Sequence, residues 1–189
     1  MFACLLAVAL TAVPQVKDRV TLEIRVFAGA QEVTGETRIS VHRAGEHQSP
    51  LAQLTPQTGR LELGVAPGIY DVQTIRERDD RVIGIRWAER LVVMAYPDEQ
   101  GHHLEVVNLE TGFGALQVRS KDRPVPPDVA LFAPADRATE IATRLTGDGY
   151  ALFVVPAGGY DVRARYGDRV AWHAGIDVPL DRTRLFIVP

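Results

Sequence analysis

Residues 65–72 read VAPGIYDV, and residues 155–162 read VPAGGYDV. The recurrence decides the fold, because a chain that repeats a phrase at a fixed interval is built from repeated units. Extended outward at an offset of 90, GRLELGVAPGIYDV (59–72) faces GYALFVVPAGGYDV (149–162). Gly59, Val65, Gly68, Tyr70, Asp71 and Val72 meet Gly149, Val155, Gly158, Tyr160, Asp161 and Val162, where chance gives roughly one identity. The same offset pairs RISVHRAG (38–45) with DVALFAPA (128–135). The offset then falls to 85, where WAERLVV (87–93) faces WHAGIDV (172–178), so Trp87 pairs with Trp172. Finally HLEVVNL (103–109) matches RLFIVP (184–189). One unit has been duplicated in tandem.

Each element of the unit reads as a strand. TLEIRVF, RISVHR, RLELGV, IYDVQT, WAERLVV and HLEVVNL alternate apolar and polar residues with period two. Leu61, Leu63 and Val65 are expected on one face, with Arg60, Glu62 and Gly64 on the other. Turn-formers separate the runs: TPQTG, APG, ERDD and YPDEQG, then TGDG, PAGG and YGD. Such spacing predicts an all-β protein of two sandwiches, over residues 18–110 and 113–189. Helical periodicity is nearly confined to DRATEIATRL (136–145), a turn or two at most.

In the repeated phrase, Gly68 and Gly158 are expected to supply a backbone conformation that side chains oppose, with Pro67 and Pro156 stiffening the approach. Tyr70 and Tyr160 then open a strand, ring buried and hydroxyl bonded to the backbone of the corner. The joining segment NLETGFG (108–114) is short, so the two units are expected to be fixed relative to each other.

The stretch DGYALFVVPAGGYDVRARYGD (148–168), and more loosely residues 59–78, resembles the carboxypeptidase-regulatory-like and collagen-adhesin B-type modules. The first copy lacks the acidic residue before Gly59. The resemblance implies two tandem Greek-key sandwiches of the prealbumin-like, Ig-like kind. It also implies exported accessory modules that seldom catalyse anything.

Composition agrees. A net charge of −3 over 189 residues argues against a nucleic-acid partner. The only cysteine, Cys4, lies in the apolar stretch MFACLLAVALTAVPQ, so no intrachain disulfide forms. That stretch, residues 1–15, reads as the apolar core of an export signal, too short to span a bilayer and lacking a basic residue ahead of it, with a short buried strand or helix as the alternative. A start further upstream would revive Cys4 as a lipidation site. Closure of the last strand at Pro189 leads us to expect no sorting signal or anchor. The protein is therefore read as extracytoplasmic, periplasmic or secreted, with no membrane span in the mature chain.

No catalytic constellation stands out. Ser40, Ser49 and Ser120 lack a glycine-flanked elbow. The chain ends in LFIVP, not in the tyrosine-arginine-glycine-serine run of the transthyretin-like hydrolases. His42 and His47 flank a turn, and His102 and His103 stand among Asp98, Glu99 and Glu105. Adjacent strand residues point to opposite faces, so His102 and His103 are not expected to share a metal ion. Neither metal nor cofactor is expected, and a metal-dependent enzyme centred on this histidine loop is the remote alternative. Recurrence of Trp87 and Trp172 favours rings that fill each core; exposed, they would stack on a sugar. The charged stretch RERDDRVIGIRWAER (76–90) is the longest loop unique to the first copy. The candidate partner surface is therefore Arg76, Arg78, Arg86, Trp87 and Arg90, with Trp172 and His173 on the matching face of the second copy. The expected partner is another envelope protein, with polysaccharide as the rival.

Overall fold

The computed structural model describes residues 19–94, 101–121, 128–141, 145–147 and 149–188. The apolar residues 1–15, Asp98, Glu99 and Pro189 lie outside the described residues. So the expectations for an export segment and for acidic neighbours of the histidines at 98 and 99 meet no structural description.

The first copy contributes β1 (Val20–Ala28), β2 (Gln31–Glu32), β3 (Thr37–Arg43), β4 (Ala52–Leu54), β5 (Leu61–Val65), β6 (Gly68–Arg78), β7 (Arg81–Val93) and β8 (His102–Asn108). The second contributes β9 (Phe113–Ser120), β10 (Asp128–Phe132), β11 (Leu145–Gly147), β12 (Tyr150–Pro156), β13 (Gly158–Tyr166), β14 (Arg169–Val178) and β15 (Thr183–Val188). In the first copy β1 is flanked by β5, antiparallel, and by β8, parallel. The facing sheet runs β4-β3-β6-β7. In the second copy β9 is likewise flanked by β12, antiparallel, and by β15, parallel, and the facing sheet runs β10-β13-β14. The protein is all-β, two sandwiches in tandem with one topology. In the segment 136–145 no helix occurs among the described residues; Glu140 instead bridges Phe132, and the Ile141 N–H donates to Leu131 O at 2.9 Å.

Period-two alternation places Val20, Leu22, Ile24 and Val26 of β1 in the first core with Ile39, Val41, Val72 and Leu91. Leu61 and Val65 are buried there too, and Leu63 packs against them, as the alternation requires. The second core gathers Leu116, Val118, Leu131, Phe153 and Val162. Alternation does not foretell a third core. Phe27, Leu104, Val106, Ala115, Tyr150, Leu152 and Val154 sit on the opposite faces of the β1 and β9 sheets and bury one another. The two inner sheets therefore pack back to back, and the molecule is four sheets deep. Strands buried on both faces read as near-continuous apolar runs, and YALFVVP on β12 is one. Each large side chain sealed there contributes about 2 kcal/mol. The joining segment is tied to both sides: the Leu109 N–H donates to Phe27 O (2.7 Å), and the Ala157 N–H to Gly112 O (2.8 Å).

The repeated phrase now divides into three tasks. Tyr70 Oη donates to Ala66 O and Tyr160 Oη to Pro156 O, both at 2.6 Å and both four residues upstream. Asp71 and Asp161 accept the backbone N–H of Arg90 (2.8 Å) and Gly175 (3.0 Å), each at a bulge in the following strand. Those donors sit at φ 56° and 67°, the left-handed region. Val72 and Val162 are fully buried. The glycines need correcting. Gly158 has φ 156°, whereas Gly68 keeps an ordinary backbone and is covered by the Tyr70 ring, 3.6 Å from where a Cβ would stand. Tyr70→Phe and Tyr160→Phe should each lower stability by about 1 kcal/mol without unfolding the protein. Thermal midpoints equal to the parent's would show that the corners hold nothing.

Candidate functional site

The tryptophans are outside the cores, which corrects the expectation that they fill them. Trp87 lies on the outer face of the β6–β7 sheet, packed by His47 (centroids 4.3 Å, stacked) and His42 (5.4 Å). His47 Nε2 is 2.8 Å from Asp71 Oδ2, which also accepts the Gly45 N–H at 2.8 Å. The second copy repeats the arrangement with other residue types. Arg137, 90 positions after His47, covers Trp172 at 4.6 Å and approaches Asp161 at 3.7 Å, while Phe132 stands where His42 does. An aspartate of the repeated phrase, a tryptophan and a cation or imidazole thus form one unit on each outer sheet. Both indole rings are already packed by two side chains.

The residues expected to form one partner surface are scattered. Arg76, nearly buried, ion-pairs with Glu36. Arg78 is exposed near the tip of the β6–β7 hairpin, and Arg90 is exposed at the bulge. Trp87 and Trp172 occupy the first and fourth layers, on opposite sides of the molecule. His173 faces the other side of β14 from Trp172, its ring edge against Phe186 at 5.2 Å. Arg86 and Trp87 do meet, in a groove of about 340 Å³ between the sandwiches, lined also by Val106, Asn108, Asp181 and Arg182. Arg86 pairs with Asp181 at 2.6 Å, and Arg182 donates to Glu89 O at 2.7 Å, so each guanidinium is engaged across the junction. The turn at 180–182 was invisible as a neighbour of β7 because the contact spans some ninety residues of chain.

At the far end of the junction lies a polar network that sequence reading missed. Glu23 is 1% exposed on the face of β1 turned toward the second sandwich. Its Oε1 accepts from Tyr150 Oη at 2.6 Å, and its Oε2 is 2.7 Å from His102 Nε2. Burial pushes the Glu23 carboxyl up, but hydrogen bonds from His102 and Tyr150, aided by the charge of Arg25, outweigh it and hold it below its usual value. Burial and Glu23 together push the Tyr150 phenol up. Arg25 reaches Tyr150 Oη at 3.4 Å and is clamped by Glu32. His103 turns to the opposite face of β8, 3.8 Å from Glu105, as strand adjacency predicts.

Donor atoms of Glu23, Glu62 and His102 lie within 4.8 Å of one another, a spacing that suits a metal ion. The second ring nitrogen argues against one. Arg119 approaches His102 Nδ1 at 2.7 Å, and a guanidinium can only donate. Nδ1 is thus the acceptor and Nε2 carries the proton, given to Glu23. A metal on Nε2 would need the proton on Nδ1, facing another donor, whereas ligating histidines give that proton to an acceptor. Gln117, oriented with its amide oxygen toward the guanidinium, steadies Arg119 at 3.0 Å.

No family model and no curated protein matches the sequence. Among solved structures, the Bacillus anthracis TIE protein aligns over 90% of this chain, at 14% identity and a TM-score of 0.33; the chain spans only 33% of that protein. The tip fimbrial protein Mfa3 from Porphyromonas gingivalis, truncated at its C-terminus, aligns over 89% of this chain and 94% of its own, at 11% identity and a TM-score of 0.32. A streptococcal ancillary pilin aligns over 90% of this chain and 62% of its own, at 7% identity and a TM-score of 0.29. Likeness at this level carries neither fold nor function across. Among the described residues no helix is long and apolar enough to cross a membrane.

Proposed function

We propose that this chain is a non-catalytic, extracytoplasmic scaffold of the cell envelope that docks another protein on its β6–β7 hairpin. Residues 18–110 and 113–189 are its two modules, of the carboxypeptidase-regulatory-like or collagen-adhesin B type, and residues 1–15 direct export. One observation carries the docking. Val82, Ile83 and Ile85, interrupted only by Gly84, are 59, 50 and 55% exposed on β7, an edge strand. Adjacent exposed branched residues on an edge are costly for a protein to leave in water and mark a surface that is covered in use. The sheet-on-sheet junction supports the same reading, since it makes a stiff body that presents the hairpin at a fixed place. Sugar recognition is less favoured, because His47 and Arg137 already occupy the indole rings.

The test is site-specific photo-crosslinking in intact cells. A crosslinker at Ile83 should give one discrete protein adduct, and a crosslinker at exposed Arg169 on the second copy should give none. The triple change of Val82, Ile83 and Ile85 to serine should abolish the interaction while leaving the thermal midpoint within about 3 °C. Adducts from both positions alike, or from neither, would remove the hairpin as the docking surface.

A further inference from the structure

We propose that the junction between the two sandwiches is sensitive to protonation, with His102 as the sensor and Arg119 as the group that reports its charge. His102 belongs to the first sandwich and Arg119 to the second, so their 2.7 Å contact is itself part of the junction. The contact exists only while Nδ1 has a free lone pair. A proton added to the ring has one place to go, because Nε2 already carries a hydrogen toward Glu23. On Nδ1 it would face an Arg119 N–H, exchanging a hydrogen bond for two like charges in contact.

The surroundings oblige Arg119, rather than the histidine, to yield. Glu23 of β1 grips the imidazole on the other side, and Glu62 of β5 places a carboxylate oxygen within 4.8 Å of a ring nitrogen. Arg25 of β1 is directed to Glu32 and Tyr150. Tyr150 of β12 stacks beside His102 at 6.2 Å and gives its hydroxyl hydrogen to Glu23. From β9, Arg119 and Gln117 complete the shell; His103 and Glu105 of β8 face the other way. The charged ring is therefore favoured toward the first sandwich and opposed toward the second. A cavity of about 30 Å³ lined by His102, His103, Gln117 and Thr183 gives the site room for a water that can deliver the proton. Acid should loosen the seam between the inner sheets and leave the two outer sheets unchanged.

Hydrogen exchange of the full chain, corrected for intrinsic rates, tests this between about pH 7.5 and about pH 5.5, the span over which imidazoles change charge. Peptides covering β8 and β9 should lose protection severalfold, while those covering β3 and β13 hold. His102→Gln keeps an acceptor for Arg119 and a donor for Glu23, so it mimics the neutral ring and should abolish the response. Arg119→Met removes the opposing cation but keeps the Glu23 attraction, so acid should now tighten the seam. A response of one size and sign in parent and Arg119→Met, or one that survives in His102→Gln, would overturn the proposal.

Discussion

Gly114→Ala should cost the protein about 3 kcal/mol or more, the upper end for forcing an extra carbon into a packed interior. A Cβ there would stand 2.1 Å from Pro179 O and 2.9 Å from Val178 Cγ1. The obstacle is backbone and cannot rotate aside. The segment cannot retreat either, because it is bonded to β9 on both sides of the glycine: the Ala115 N–H donates to Arg182 O and the Asp181 N–H to Phe113 O. That segment carries Asp181 and Arg182 of the inter-sandwich groove, so the damage should spread to the seam. The thermal midpoint should fall by about 6–12 °C for a chain of this size. Gly159→Ala is the control: open space surrounds its Cβ position, and the change should stay within about 0.5 kcal/mol. Equal midpoints for the two variants would show that the close approach at Gly114 is not real.

Asp71→Ala should cost about 2–4 kcal/mol, because it strands two backbone N–H groups at once, at about 1–3 kcal/mol each, besides releasing the half-exposed His47 ring. The carboxylate, 3% exposed, takes the N–H of Arg90 on one oxygen and those of Gly45 and His47 on the other. Asp161→Ala strands one backbone N–H, that of Gly175, and should cost about half as much. The ratio matters, since the two aspartates are the same letter of the repeated phrase. Acid gives a second reading. Burial pushes the Asp71 carboxyl up, but the Arg90, Gly45 and His47 donors outweigh it and hold it below the ordinary aspartate value. A carboxyl depressed in the folded state contributes stability above its unfolded value near pH 4 and loses it as pH falls further. Denaturant midpoints for the parent should therefore drop below about pH 4, with a shallower drop for Asp71→Asn. Identical acid profiles for the two would show that the carboxylate does not hold the bulge.

Much of the molecule was legible because it depends on local pattern. Period-two alternation, turn residues and the recurrence of one phrase specified strands, duplication and both tyrosine corners, since those contacts lie within four residues of each other. The bulge aspartates were visible as identities, Asp71 and Asp161, but not as caps, because their N–H partners come from the next strand. The tryptophans were misassigned to the cores for a related reason: recurrence shows that a position matters in both copies, not which face of its strand it occupies. His47 was noted only as flanking a turn, and its equivalence to Arg137 was invisible, since an imidazole and a guanidinium share no letter even when both lie on an indole and approach an aspartate.

What the sequence determined by itself is thus the module, its doubling and the two sandwich cores, because these follow from side-chain period and turn chemistry along a continuous chain. Only the tertiary structure decided that the doubled module becomes one body. The third core of Phe27, Val106, Tyr150 and Leu152, and the Glu23–His102–Arg119 network beside it, join residues of the two copies, with hydrogen-bonded pairs from 17 to 127 positions apart in sequence. No periodicity within either copy encodes that meeting. It follows from two inner sheets that each kept an apolar outer face and had only the other against which to bury it.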